Sequence, residues 1–140
     1  MTALAHRQGL SVTRHLLITP EPIPEAALVQ GRRLSRAAGA AVSFVGVVRG
    51  TEADQPIQGL AYEAFARMAE HQLHKLCDEV ERRWPVESVR LVHRVGLVKA
   101  GEVSLWLEVV APHRGEAFAA CQWLIEELKR VVPIWKKPVP

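Results

Sequence analysis

Pro112-His113-Arg114-Gly115-Glu116, running on through a long apolar-periodic segment to Pro133-Ile134-Trp135-Lys136-Lys137, carries both an architectural and a chemical signal. Between Gly115 and Val132 the apolar residues Phe118, Cys121, Leu124, Ile125, Leu128 and Val132 recur every three or four positions, the period of a helix that buries one face. His113 and Arg114 stand at its start, where the first N–H groups have no internal acceptor and carry partial positive charge, so the pair is a candidate seat for a phosphate or carboxylate. Lys129 and Arg130 occupy its last turn, and Pro133 cannot extend the hydrogen-bond ladder. Taken alone, the terminal cations also fit the ordinary complement to a helix C-terminus, and His113 and Arg114 a solvated helix start.

Immediately upstream, Val103 to Val110 alternates, as does Ser88 to Val95, with Val89, Leu91, His93 and Val95 opposite Arg90 and Arg94. Gly96 to Gly101 supplies a turn, so the two runs read as an antiparallel hairpin. Trp106 falls on the face opposite Val103, Leu105, Leu107 and Val109. It is expected to be covered either by another element of the chain or by a second subunit. His93, on an apolar face, reads as a core histidine with its polar needs met. Ala66 to Trp84 is a second amphipathic helix, with Ala69, Leu73, Leu76, Cys77, Val80 and Trp84 in one stripe and Pro85 as its stop. His71 and His74 share its polar side, but no Cys/His cluster elsewhere completes a zinc set, so no metal is expected.

Further back, Gln58 to Phe65 reads as a strand and Thr51 to Pro56 as a polar loop. Ala40 to Val48 is apolar at nearly every position and is expected to be a central strand covered on both faces. A helix is expected from Pro24 through Leu28, Leu34 and Ala38, ending at Gly39, with Gly31 inside it at a cost of roughly 1 kcal/mol. Leu16 to Thr19 is a short strand. Residues 1–14 form a loose extension, and 15–140 a single domain. The order is βαββαββα, an α+β class.

With 140 residues, 49% hydrophobic and 24% charged, the chain has the balance of one globular domain with its own core. The net charge of +3 suits an anionic ligand or partner without requiring nucleic acid. Cys77 and Cys121 lack CxxC spacing and fall on apolar helical faces, as buried reduced thiols do. No segment has the length or apolarity of a signal peptide or a membrane span, which gives a cytoplasmic expectation.

Three separated motifs in order, SFVGVVRG (Ser43–Gly50), LAYEAFARMAE (Leu60–Glu70) and APHRGEAFAACQWLIEELKRVVPIWKK (Ala111–Lys137), resemble the large, catalytic subunit of molybdopterin synthase, over about Ala40 to Lys137. The resemblance implies an α/β-hammerhead fold. It also implies a sulfurtransferase that converts cyclic pyranopterin monophosphate (precursor Z) to the molybdopterin dithiolene. The sulfur would arrive as a thiocarboxylate on the C-terminal Gly-Gly tail of a small ubiquitin-like subunit. The assembly implied is a heterotetramer built around a homodimer of large subunits, and neither cofactor nor metal is implied.

Residue by residue, the family's arginine in the strand ending G-x-V-R matches Arg49, its His-Arg pair matches His113 and Arg114, its essential lysine matches Lys129, and the lysine of its W-K-[KR] run matches Lys136. Lys129 and Lys136 are therefore the expected catalytic residues, and Arg49, His113, Arg114 and Lys137 the substrate-binding ones. Arginine forks suit phosphate and pterin acceptors, and a lysine among other cations is more readily neutral and so able to move protons or attack a carbonyl. Pro138 stands where the family commonly has glutamate. Arg114 and Lys129 are fifteen residues apart on one helix, so their backbones lie about 22 Å apart at 1.5 Å per residue. If both serve one substrate, the site is shared between two subunits of a C2 dimer. The alternative from another class is a basic and aromatic nucleic-acid-binding module using Lys129, Arg130, Trp135, Lys136 and Lys137.

Overall fold

The computed structural model describes residues 12–140. In chain order the elements are β1 (Thr13–Thr19), α1 (Glu25–Gln30), β2 (Ala40–Val47), β3 (Thr51–Glu52), β4 (Gln55–Pro56), β5 (Gly59–Ala64), α2 (Ala66–Arg83), β6 (Ser88–Arg94), β7 (Gly96–Lys99), β8 (Val103–Ala111), α3 (Arg114–Val131) and β9 (Ile134–Val139). The class is α+β, as expected. One sheet has the order β1-β6-β8-β2, a second has β7-β5-β9, and β3 pairs with β4 as a small ribbon.

Helices α2 and α3 cover one face of the four-stranded sheet. Leu73, Cys77 and Val80 of α2 and Ala117, Ala120, Cys121 and Leu124 of α3 pack into one cluster with Val89, Leu91, Leu107 and Val109 from the sheet. Full burial of a leucine or valine contributes about 1.5–3 kcal/mol, so this layer is the main source of stability. On α3 the buried stripe starts at Ala117 rather than at Phe118, which is 60% exposed. With Ala117, Ala120, Cys121, Leu124 and Leu128 on the buried face, the helical period puts Phe118 on the solvent side. Burial pushes both thiols up, Cys77 to about 11 and Cys121 to about 11.

Several expectations are corrected. The helix after the prolines stops at Gln30, with Gly31 as its C-cap, and does not reach Gly39. Gly39 instead marks a tight backbone crossing. Its N–H donates to Ala111 O at 3.0 Å, and a Cβ on it would stand 2.0 Å from Pro112 O. Strand β1 begins at Thr13, inside the segment expected to be loose, and Arg14 pairs with Asp78 at 2.6 Å and Glu81 at 3.2 Å on α2. The rest of that segment, 1–11, lies outside the described residues. Strand β2 is an edge strand, not a central one. Its burial alternates, Val42 and Phe44 packing on the core while Val45 and Val47 remain 40% and 51% exposed. An apolar run shows that both faces tolerate apolar side chains, not that both are covered.

The 96–101 turn contains strand β7, which leaves the first sheet and joins β5, with positive φ at Gly96 (84°) and Gly101 (89°) bending the chain at either end. The hairpin pairing itself holds, with Val89 opposite Val109 and Leu91 opposite Leu107. The segment after Pro133 is strand β9, paired antiparallel to β5, with Pro138 tolerated because β9 is an edge. Trp106 is 1% exposed, covered within the chain: the Arg90 guanidinium lies 4.9 Å over its ring. His93 is buried, with Nδ1 2.8 Å from Arg94 O and its ring edge-on to Tyr62 at 5.2 Å, and desolvation lowers its pKa. Among the described residues no helix is long and apolar enough to cross a membrane.

Candidate functional site

Strand β8 ends at Ala111, and a short turn through Pro112 and His113 sends α3 back across the sheet. His113 is the N-cap residue of α3, with extended backbone (φ −132°, ψ 148°). Beside it a cavity of about 500 Å³ is lined by Gly39, Pro112, His113 and Arg114. Gly39 allows the chain to close against Pro112, and the partial positive charge of the helix start faces outward with Arg114. His113 Nδ1 is 3.4 Å from Glu116 Oε1 across the first turn, while Glu116 Oε2 is buried with no hydrogen-bond partner among the described residues. Both His113 and Arg114 are exposed.

The other cations lie at the opposite end. Strand β2 runs antiparallel to β8, with Ala40 opposite Ala111 and Val47 opposite Val103, so Arg49 follows the end of β2 farthest from His113. An eight-residue strand spans about 27 Å at 3.4 Å per residue. Helix α3, eighteen residues long, covers a similar distance of about 27 Å in the return direction. Lys129 therefore arrives at the Arg49 end, and Pro133 turns the chain into β9, where Lys136 pairs opposite Tyr62 and Lys137 opposite Ala61 of β5. Arg49, Lys129, Lys136 and Lys137 are all exposed, and none has a side-chain hydrogen bond or ion pair among the described residues.

The expected set is thus divided: Arg49, Lys129, Lys136 and Lys137 on one side, His113 and Arg114 on the other. Within the first group the cationic setting of Lys129 is thinner than its sequence neighbourhood suggests. Arg130 is compensated by Glu127, its Nε donating to Oε2 at 2.6 Å and Nη2 to Oε1 at 3.0 Å. Lys136 and Lys137, adjacent on a strand, face opposite sides of it. Sequence reasoning missed the aromatic pair next to them, Phe65 and Trp135, edge-on at 5.0 Å and both more than half exposed. Its only sequence signal was an alternation of Ile134, Lys136 and Pro138 against Trp135 and Lys137, obscured by flanking prolines. His74 is not free for a metal on its Nδ1 side, which meets Arg14 Nη1 at 3.2 Å.

Fold and surface together define an α+β domain with exposed cations at two separated ends, Arg114 at one and Lys129 at the other having no ion-pair partner among the described residues, an arrangement suited to anionic groups. Comparison with known proteins gives the family: residues 18–131 match the model described as MoaE protein, and the chain belongs to that family. It is 40% identical over 111 residues to the molybdopterin synthase catalytic subunit of Vibrio cholerae, covering 79% of this chain and 71% of that one. It is 37% identical over 106 residues to the human protein of the same name, covering 76% of this chain and 56% of the human one. Among solved structures, molybdopterin synthase from Staphylococcus aureus superposes with a TM-score of 0.80 at 34% identity, over 87% of this chain and 88% of that one. Family and relatives make the chain an enzyme of the molybdopterin synthase catalytic-subunit type.

Proposed function

We propose that this chain is the sulfurtransferase subunit of molybdopterin synthase, acting in the cytoplasm on a phosphorylated pterin, precursor Z. The sulfur comes from a thiocarboxylate at the C-terminus of a small ubiquitin-like subunit. A molybdopterin-converting factor of Helicobacter pylori, 23% identical, is described as a complex of subunits 1 and 2, which fits such a partnership. The observation that carries the proposal is the exposure of Lys129 at the end of α3, beside the strand that delivers Lys136 and at the same end as Arg49, with no internal partner among the described residues for any of the three.

The division of the cations supports a pocket formed between two large subunits. His113 and Arg114 of one protomer would close over the Arg49, Lys129 and Lys136 end of its twofold mate, which places Arg49 with the lysines. In that pocket the arginines and the helix start hold phosphate and pterin oxygens. Lys129 and Lys136 serve proton transfer. The nucleic-acid alternative needs one continuous basic and aromatic face. It is disfavoured by the opposite facing of Lys136 and Lys137 and by the Glu127 pairing of Arg130.

Mixing tests the reading. Arg114→Ala and Lys129→Ala subunits, each inactive alone with the thiocarboxylated small subunit and precursor Z, form heterodimers with one intact pocket when subunits exchange, and dithiolene production returns in part. Demonstrated exchange without recovered activity refutes the shared pocket. Absence of product from the wild-type protein under every condition refutes the enzymatic assignment.

A further inference from the structure

On the face of the four-stranded sheet away from α2 and α3, helix α1 and the 31–39 segment stand off the strands. They leave a cavity of about 930 Å³ that no part of the proposed sulfur-transfer chemistry uses. Its volume falls in the range of small-molecule sites, about 300–1,000 Å³. The walls are apolar, from Pro24, Ala27, Leu28 and Leu34. The floor is polar and fixed. Glu108, 1% exposed, accepts from Arg32 Nε at 2.5 Å through one oxygen and from Arg90 Nε at 2.9 Å through the other.

Arg90 is held on three sides: Nε on Glu108, Nη2 donating to Leu28 O at 2.8 Å, and the guanidinium plane 4.9 Å over the Trp106 ring. Its Nη1 has no hydrogen bond among the described residues and lies beside Gly31, another lining residue of the cavity, 3.8 Å from where a Cβ there would be. A donor so immobilised loses little entropy on taking up an acceptor. Arg33 lines the cavity with no side-chain partner among the described residues, while Glu87 is already engaged by the Ser35 hydroxyl. Three arginines (32, 33 and 90) against two carboxylates (87 and 108) leave one positive charge around an apolar chamber.

The geometry points to a second ligand site, for a small amphipathic monoanion: an aromatic or aliphatic body against Leu28 and Leu34 and one carboxylate or sulfonate toward Arg90 Nη1 and Arg33. Pro112 belongs to this cavity and to the one beside His113 and Arg114, so a ligand here sits next to the proposed substrate seat without entering it. The site stands independently of the sulfur-transfer assignment, and its test needs no turnover.

The full chain is titrated with 8-anilinonaphthalene-1-sulfonate, followed by fluorescence, calorimetry and ¹H–¹⁵N NMR. One saturable site is expected, with shifts at Leu28, Leu34 and the Arg90 Nε–H. Leu34 is exposed, so Leu34→Asp leaves the core alone. A like charge at the mouth is expected to weaken binding about tenfold or more, and Arg33→Glu by a similar factor. Arg36→Glu, in the same segment but outside the lining, stays within about twofold of wild type, and inorganic phosphate does not displace the probe. Non-saturable binding, equal weakening by Arg36→Glu, or shifts centred on Val45 and Val47 instead of the cavity each overturn the site. The wild-type shift map decides even where a variant fails to fold.

Discussion

Replacing Glu108 by alanine tests the internal electrostatics of the outer sheet face. The carboxylate is 1% exposed and is the shared counter-charge of Arg32 and Arg90, whose side chains are 26% and 16% exposed. Deleting it leaves two guanidiniums facing each other in a partly dehydrated site. Removing one partner of a buried pair costs about 3–5 kcal/mol, mainly the penalty of an uncompensated buried charge. Arg32 is accessible enough to swing toward water and Arg90 keeps Leu28 O, so the low end, about 3 kcal/mol, applies. At about 2.1 cal/mol/K per residue, 140 residues give an unfolding entropy near 0.3 kcal/mol/K, and the melting temperature falls by about 10 °C. Chemical denaturation and calorimetry read this directly. Glu102→Ala is the control, since that carboxylate is 41% exposed and 3.5 Å from Arg94, and a pair of this kind contributes about 0–1 kcal/mol. A Glu108→Ala loss below 1 kcal/mol, or one equal to the control, would refute the view that Glu108 anchors this face.

Gly39→Ala places a methyl 2.0 Å from Pro112 O, backbone against backbone. It should destabilise by about 2–3 kcal/mol and displace His113, and an unchanged unfolding midpoint would show that the crossing relaxes freely. Cys77 and Cys121, with thiols held near 11, should resist Ellman's reagent at pH 8 in the native protein and both react in guanidinium, where the thiolate becomes accessible; rapid native reaction of either contradicts their burial. His93 has its pKa lowered by desolvation from 6.5, so the unfolded chain binds the proton first. Stability should therefore fall as pH drops below about 6.5 and level off once the folded ring also protonates. His93→Gln should flatten that slope in urea titrations at successive pH values, and an unchanged slope would assign it to other groups.

Periodicity alone located α2 and α3 to within a residue or two, because an amphipathic helix writes its buried face into every third or fourth position, and Pro85 and Pro133 mark where each must end. The candidate site residues His113, Arg114, Lys129 and Lys136 were singled out by the motifs that carry the family resemblance rather than by periodicity. That Val89 and Leu91 share one face of their strand, and Leu107 and Val109 one face of theirs, followed from simple alternation.

The tertiary structure alone decided that Ala40 to Val47 is an edge strand, that Gly96 to Lys99 and Ile134 to Val139 complete a second sheet around β5, and that Trp106 is roofed by Arg90. Strand order and coverage depend on partners distant in sequence, and a local pattern records only which side chains each face tolerates. The same cause separates the cations: their order along the chain is explicit, but their division between two ends of the sheet arises from the reversal of α3 across β8 and the antiparallel pairing of β2.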